Sequence, residues 1–271
     1  MTVDNWKNLI KELEEYREKT CISPAITLWG GEPLVCDFFD EIVSLLKEKC
    51  FSVEIITNGV FIDKHKEVIE SCVDRVYVSV DGPSDIHNGI RGDGVYEKVT
   101  KNIKSLNHSN IVVMSVVTKE LKSRLSEFFA ELDTLGIREL YLQDMIGLSS
   151  AEVSAYKTWM KEEFDITARY IDSWENNSLF TEGDIETGRY SYEIVRKAHK
   201  DSGVCTSPFS HLHITWCGDV MYCTDFYDFS AGNVKEDALE NIFLNEKSEK
   251  FRQEIEKGRC ATCNHCSWRL G

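Results

Sequence analysis

The sequence predicts an α/β fold, in which helices cover a parallel sheet, followed by a small cysteine-rich lobe. Strands and helices alternate from residue 25 to residue 143, and the strands are almost continuously apolar. Such strands are typical of parallel sheets that are buried on both faces. Six of the ten cysteines fall in the last 67 residues, 205–271. This change of composition predicts a second, smaller unit at the carboxyl end.

The predicted elements follow one another in a regular order. The first is a helix over 4–20, with apolar residues at helical spacing and Asp4 as its expected N-cap. Five strands are predicted, at 25–29, 53–57, 75–80, 111–117 and 139–143, with helices after the first four at 37–48, 64–72, 94–107 and 121–135. Charged helices over 149–201 then precede a β-hairpin made by 211–216 and 220–223, and helices at 238–244 and 246–257.

These elements divide into two predicted domains. Residues 1–200 make the α/β unit with a helical, partly solvated connector at its end, and residues 201–271 make the small lobe. A lobe of that size cannot build a large core, so we expect a metal or cluster to stabilise it.

Composition excludes several classes of function. The formal net charge of −15 argues against nucleic acids and membranes as partners, since both require a basic surface. No apolar run approaches the 18 residues of a membrane span, and the charged first 20 residues do not resemble a signal peptide. The sequence therefore predicts a cytoplasmic protein, and in a reducing compartment clustered cysteines indicate metal binding more often than disulfides.

The cysteines of the lobe are spaced like metal ligands. Cys205, Gly218 and Cys223 form a C-x12-G-x4-C frame, and the run CATCNHC places Cys260, Cys263 and Cys266 two residues apart. Two ligands on a tight turn can bind one metal or one edge of a cluster, and a distant pair can complete the site. Cys36, Cys50 and Cys72 lie on or next to predicted helices, and we expect them to be core residues.

Three consecutive strands end in turns that could bind a ligand: WGGEP (29–33), TNG (57–59) and SVDG (79–82). Each is an ordinary turn sequence when taken alone. In parallel α/β units, however, the carboxyl ends of the strands meet at the ligand site. There Gly30 and Gly31 offer bare backbone and Glu32 a negative charge, while Ser79 and Asp81 offer a hydroxyl and a carboxylate.

The next stretch, PSDIHNGIRG, contains Arg91, which can bind a carboxylate with two hydrogen bonds. Together these side chains predict a ligand that has a cationic end, an anionic end and ribose hydroxyls.

With these motifs the chain resembles a radical S-adenosylmethionine (radical SAM) protein that has a C-terminal SPASM or twitch domain. The resemblance covers about residues 25–120 and 200–271. It implies a partial (β/α)6 TIM-type barrel. It also implies that Glu32 binds the methionine ammonium of SAM, that the Gly30–Gly31 backbone pairs with the methionine, that Ser79 and Asp81 lie near the ribose, and that Arg91 lies near the carboxylate.

The resemblance further implies an auxiliary 4Fe–4S cluster in the lobe. Its ligands would be Cys205, Cys223, Cys260 and Cys263, with Cys266 as an alternative fourth ligand and Cys217 as a spare. The substrate would be a peptide, a protein or a small molecule, and a reductant protein would be a further partner. No catalytic residue is assigned.

One family feature is missing from these 271 residues. The C-x3-C-x2-C loop, which holds the cluster that delivers an electron to SAM, does not occur, and neither does the first barrel strand. The expectation is a truncated chain, a misplaced start or a relative that lacks this cluster, and the chain as written is predicted not to cleave SAM. Two functions remain open: a radical SAM oxidoreductase or maturase, and a non-catalytic scaffold or electron-transfer protein that keeps an auxiliary cluster or zinc site.

Overall fold

The computed structural model describes residues 1–144, 148–174, 205–224, 227–260 and 263. These residues form two compact units. One contains residues 6–143, and the other contains residues 1–5, 144, 148–174 and the described residues from 205 onward. Cys266 lies outside the described residues, so its predicted role stays a prediction.

The first unit alternates helices and strands, as the sequence predicts. Its elements are α1 (Val3–Thr20), β1 (Ala25–Leu28), α2 (Phe39–Glu48), β2 (Ser52–Thr57), α3 (Lys66–Cys72), β3 (Arg75–Ser79), α4 (Ser84–Arg91), α5 (Val95–Ser105), β4 (Ile111–Val117), α6 (Lys119–Ser123), α7 (Leu125–Thr134) and β5 (Glu139–Asp144). Short 3-10 turns lie at Pro33–Val35 and Ile62–Lys64.

The five strands form one sheet in the order β1-β2-β3-β4-β5. The first three pairings are parallel, with Leu28 beside Ile55 and Thr57 beside Val78. This register brings the ends of β1, β2 and β3 to one edge. Inward-facing residues of the strands, such as Val53 and Val76, are fully buried beneath the helices. The α/β prediction is therefore confirmed.

Some local expectations for this unit are wrong. Helix α1 begins one residue before Asp4, and the Oγ1 of Thr2 accepts the N–H of Asn5 in the capping position. The predicted helix over 121–135 is two helices, α6 and α7, that meet at Arg124. Cys50, expected in the core, is exposed because it follows the last turn of α2 in a left-handed conformation, with φ of 60°.

The second unit contains α8 (Ser150–Phe164), a 3-10 turn (Tyr170–Trp174), α9 (Ser207–Ser210), β6 (His213–Ile214), β7 (Asp219–Met221), β8 (Gly232–Asn233), α10 (Leu239–Leu244) and α11 (Glu246–Glu256). The three short strands form an antiparallel sheet, of which β6 and β7 are the predicted hairpin.

Helix α8 differs from the solvated connector that the sequence suggested. A capping box between Ser149 and Glu152 starts it, and Tyr156, Trp159 and Met160 are buried in the same core as the hairpin and α11. Aromatic rings fill that core, with Phe229 and Phe251 only 4.4 Å apart between ring centroids. Burial of these rings stabilises the unit. The boundary near residue 200 stays a prediction, while α8 shares its core with the carboxyl-terminal elements.

No helix within the described ranges is both long enough and apolar enough to cross a membrane.

Candidate functional site

The first two predicted turns meet at the carboxylate of Glu32. Its Oε1 accepts hydrogen bonds from the Thr57 hydroxyl at 2.6 Å and from the Leu34 N–H at 3.1 Å. Its Oε2 accepts the N–H of Asn58 at 2.7 Å. The GGEP turn after β1 and the TNG turn after β2 therefore form one hydrogen-bonded unit. The half-buried carboxylate is held in place by the end of the neighbouring strand.

The TNG turn has little freedom to move. Gly59 has φ of +78°, and a Cβ at this position would come within 2.8 Å of Val78 Cγ1 and 2.9 Å of Val99 Cγ1. Only glycine fits both the conformation and the space. The buried amide of Asn102 donates to the carbonyl of Gly59 at 2.8 Å, which ties the turn to α5.

Gly30 and Gly31 leave the backbone after β1 open. Their φ values are +95° and +56°, and a Cβ at either position would meet no atom within 4 Å. The peptide groups after β1 are therefore accessible. A ligand that approached them would meet N–H and C=O groups without a side chain between.

The third turn brings Asp81 and Arg91 together. Asp81 is buried, and its Oδ2 accepts a hydrogen bond from Arg91 Nε at 2.5 Å. Arg91 is carried by α4, a helix that the sequence analysis did not predict. Within the described residues the two Nη groups of Arg91 make no hydrogen bond. Those groups remain available to an anionic ligand, while Nε neutralises the buried carboxylate.

The buried ring of His87 holds the backbone of Asp81 through a hydrogen bond. The ring is fully buried and its Nδ1 accepts the N–H of Asp81 at 3.1 Å, which places the proton of the neutral ring on Nε2. Burial lowers the pKa of His87, and this outweighs the opposing effect of the Asp81 carboxylate. Ser79, the last residue of β3, lies half-buried two positions before Asp81. Side chains two apart in extended backbone point to the same face.

The predicted cysteine ligands lie in the second unit. Cys260 is 1% exposed in the aromatic core, and Cys205, Cys223 and Cys263 are partly buried against that same core. They come from segments far apart in sequence: before α9, after β7 and after α11. Within the described ranges, no three His, Cys, Asp or Glu side chains are placed to hold a single metal ion.

Tyr156 of α8 lies near these cysteines. Burial raises the pKa of its phenol above the usual value, and the carboxylate of Asp228 raises it further. The thiols of Cys260, Cys223 and Cys263 act in the same direction. Tyr156 could have been identified from its helical spacing with Trp159 and Met160.

Cys217 has a different environment. It lies in the turn between β6 and β7, where its thiol donates to Asp219 Oδ2 at 2.9 Å and lies 3.0 Å from Thr215 Oγ1. Asn233 donates to the carbonyl of Cys217 and to Asp219, which closes the turn. Cys217 therefore belongs to the polar structure of the hairpin.

Two family models match the chain. The model of the radical SAM superfamily matches residues 1–121. The model of SPASM, an iron–sulfur cluster-binding domain, matches residues 205–267 and so includes every cysteine of the predicted frame. Thiols are the usual ligands of such clusters.

Two curated relatives are each 25% identical to the chain. The tungsten-containing aldehyde ferredoxin oxidoreductase cofactor-modifying protein of Pyrococcus furiosus matches 88% of the chain and 72% of its own length. The mycofactocin maturase MftC of Mycolicibacterium smegmatis matches 98% of the chain and 68% of its own length.

Solved structures have the same fold. A structure of anSMEcpe with bound AdoMet has a TM-score of 0.65 at 17% identity, over 94% of this chain and 72% of that one. Streptococcus suis SuiB bound to its precursor peptide SuiA has a TM-score of 0.61 at 15% identity, over 98% of this chain and 64% of SuiB. By these two matches, residues 1–121 are a radical SAM region and residues 205–267 are a SPASM domain.

Proposed function

We propose that the chain is a maturase-type radical SAM protein that acts on a peptide. One relative is named as a maturase and another as a cofactor-modifying protein. Two of the structures with this fold, those of anSMEcpe and SuiB, have a bound peptide. A small-molecule substrate is the alternative within the same reaction class. A reductant protein belongs to the proposal because the chemistry consumes an electron.

The proposed SAM site is the edge formed by the three turns. The hydrogen-bonded carboxylate of Glu32 carries this proposal, because it is a fixed negative charge beside the open backbone of Gly30 and Gly31. It would bind the ammonium group of SAM. The outer nitrogens of Arg91 would bind the carboxylate, and Ser79 and Asp81 would lie near the ribose hydroxyls.

The proposed auxiliary 4Fe–4S site uses Cys205, Cys223, Cys260 and Cys263, with Cys266 as the alternative to Cys263. The ligand type fits, and the aromatic core would shield a cluster from water. In a cluster each thiolate binds a different iron, so the ligands are further apart than around one ion. Thiolates also bind zinc, which stays the alternative occupant of this site.

When bound beside a reduced cluster, SAM would accept one electron and break its C5′–S bond, which gives methionine and a 5′-deoxyadenosyl radical able to remove a hydrogen atom from the substrate. The residues described above would bind and orient SAM for that step. The Glu32 charge and the Asp81–Arg91 pair fix its two ends, and the half-buried carboxylate limits the water that competes for the ammonium.

Isothermal titration of SAM into the wild type and a Glu32→Gln variant tests the site. Loss of the carboxylate charge should cost on the order of 2–4 kcal/mol, or roughly 30- to 1,000-fold in affinity. Glu18→Gln is a matched control, because Glu18 is an exposed carboxylate on α1. Equal affinities for wild type and Glu32→Gln would remove the assignment.

The cysteine spacing favours a second candidate, a scaffold or electron-transfer protein that does not cleave SAM. No three of the ten cysteines have the C-x3-C-x2-C spacing. Reconstitution of these 271 residues with iron and sulfide, followed by dithionite and SAM, separates the two. Formation of 5′-deoxyadenosine above a cluster-free control would eliminate the second candidate.

A further inference from the structure

The two carboxylate oxygens of Glu32 are not equivalent. Oε1 accepts two hydrogen bonds, from the Thr57 hydroxyl and the Leu34 N–H. Among the residues that the structure describes, Oε2 accepts one, from the Asn58 N–H. Because each carboxylate oxygen has two favourable acceptor positions, Oε1 is saturated and Oε2 keeps one position open.

Thr57 has the surroundings of a residue with a fixed task. It is 2% exposed at the end of β2, and its hydroxyl oxygen accepts the N–H of Gly59 at 3.0 Å. That bond orients the single hydroxyl proton towards Glu32 Oε1, which lies 2.6 Å away. Gly59 is itself fixed by Asn102 on α5. The orientation of the Glu32 carboxylate is thus set by buried groups of β2 and α5.

We propose that Thr57 is a positioning residue that saturates Glu32 Oε1 and thereby directs Oε2 to the ammonium group of the ligand. This inference rests on the proposed SAM site. Thr57 would not touch the ligand, and its effect would pass through Glu32. Loss of its hydroxyl would leave Oε1 short of a partner and free the carboxylate to rotate away from the ammonium.

Positioning of Glu32 by Thr57 has a consequence that a purely structural role of Thr57 would not have. Thr57 should matter only for ligands that have the amino group. We therefore pair two variants with two ligands: Thr57→Val, which keeps the shape and removes the hydroxyl, and Thr57→Ser, which restores the hydroxyl. The ligands are SAM and an analogue in which hydrogen replaces the α-amino group.

Titration calorimetry should show that Thr57→Val binds SAM roughly tenfold more weakly than wild type, since a hydrogen bond to a charged group is lost. The affinities of the analogue for Thr57→Val and for wild type should agree within about twofold. This is expected because the analogue lacks the amino group through which Thr57 would act. Thr57→Ser should restore most of the SAM affinity.

Equal losses for both ligands would overturn the inference and leave the proposed function intact, since Thr57 would then be only structural. Equal SAM affinity in wild type and Thr57→Val would overturn it as well. A wild type that binds no SAM would overturn the proposed function itself. If Thr57→Val fails to fold, Thr57→Ala replaces it, because it also removes the hydroxyl that donates to Glu32 Oε1 and should produce the same amino-dependent loss.

Discussion

The strand edge, which is formed by the turns after β1, β2 and β3, differs from the cysteine site, which is formed by Cys205, Cys223, Cys260 and Cys263, in how far its side chains already contact one another. At the edge, Glu32, Thr57 and Asn58 already satisfy one another through hydrogen bonds, and the Asp81–Arg91 pair neutralises its own charges. At the cysteine site, the sulfur atoms share an aromatic core, but the described ones do not converge as ligands of one ion. The hydrogen bonds of the strand edge form without a ligand.

The difference follows from the elements that carry each site. Parallel strands in fixed register bring the three turns to one edge before any ligand binds. The described cysteines of the second unit lie in segments outside helices and strands, apart from Cys263 in a single 3-10 position. Strands of two or three residues fix little of the second unit. A cluster that joined these segments would supply a constraint that short strands cannot.

The largest expected effect is therefore loss of the cluster. Cys205→Ser and Cys223→Ser should each reduce the iron and sulfide content of reconstituted protein from about four of each per chain to near zero. The melting temperature of the second unit should fall with them, because the cluster constrains the unit only when bound. Iron analysis, visible absorption and calorimetry provide the measurements.

Two cysteine variants provide the controls for this prediction. Cys217→Ser changes a thiol that already donates to Asp219, and Cys50→Ser changes an exposed thiol of the first unit. Both should keep full iron content. Glu32→Gln should keep it too, because the hydrogen bonds of Glu32 are to residues of the first unit. Full iron content in both Cys205→Ser and Cys223→Ser would refute the ligand assignment.

A smaller effect is expected from Gly59→Ala, which tests whether the strand edge is as rigid as its contacts indicate. The backbone of the new alanine would have to keep φ of +78°, and its Cβ would lie 2.8 Å from Val78 Cγ1. The conformation and the overlap together should cost about 2–4 kcal/mol in the free energy of unfolding of the first unit.

Gly136→Ala is the matched control for Gly59→Ala. Gly136 has φ of +73°, but a Cβ there meets nothing within 4 Å. Only the conformational cost remains, about 1–2 kcal/mol. Urea unfolding followed by circular dichroism compares the two variants. Equal losses would mean that Val78 and Val99 move aside easily and that the turn is less constrained than its packing suggests.

The meeting of the three turns at one edge of the sheet could be predicted because its sequence signals are local. Apolar runs end at glycine-containing turns, and a parallel sheet brings consecutive turns to one edge. The partner of Arg91 could not be predicted this way. Gly89 and Asn88 obscured α4, and without that helix nothing indicated that Arg91 returns to Asp81, ten residues earlier. The sequence assigned Arg91 to a ligand alone.

The second unit was predicted less completely, because its core depends on distant residues. Charges on α8 suggested a solvated connector, although Tyr156, Trp159 and Met160 have the spacing of one buried helix face. Spacing could place the cysteines in one frame. It could not show that Cys217 is held by Asp219, since that contact depends on the geometry of the turn.

The smallest expected effect concerns pH and the support beneath Asp81. His87 is buried as the neutral ring. Burial lowers the pKa of the ring, and the positive charge of Arg91 lowers it further. The negative charges of Asp81 and Glu97 raise this pKa but do not cancel the effect of burial. In the unfolded chain the ring takes up a proton near its ordinary value of 6.5, before the folded chain does. The contribution of His87 to the free energy of unfolding should therefore be constant above pH 7 and should fall as the pH drops below 6.5.

The decrease in the free energy of unfolding has an upper limit, and a variant of His87 can show that it comes from this residue. One proton changes the free energy of unfolding by at most about 1.4 kcal/mol per pH unit. His87→Asn removes the titration, while its amide oxygen can still accept the N–H of Asp81, so the profile between pH 6.5 and 5 should be flatter than that of wild type. Urea unfolding at half-unit intervals of pH gives both profiles. Parallel profiles would show that His87 titrates alike in the folded and unfolded chains, and that the strand edge does not depend on a neutral ring beneath it.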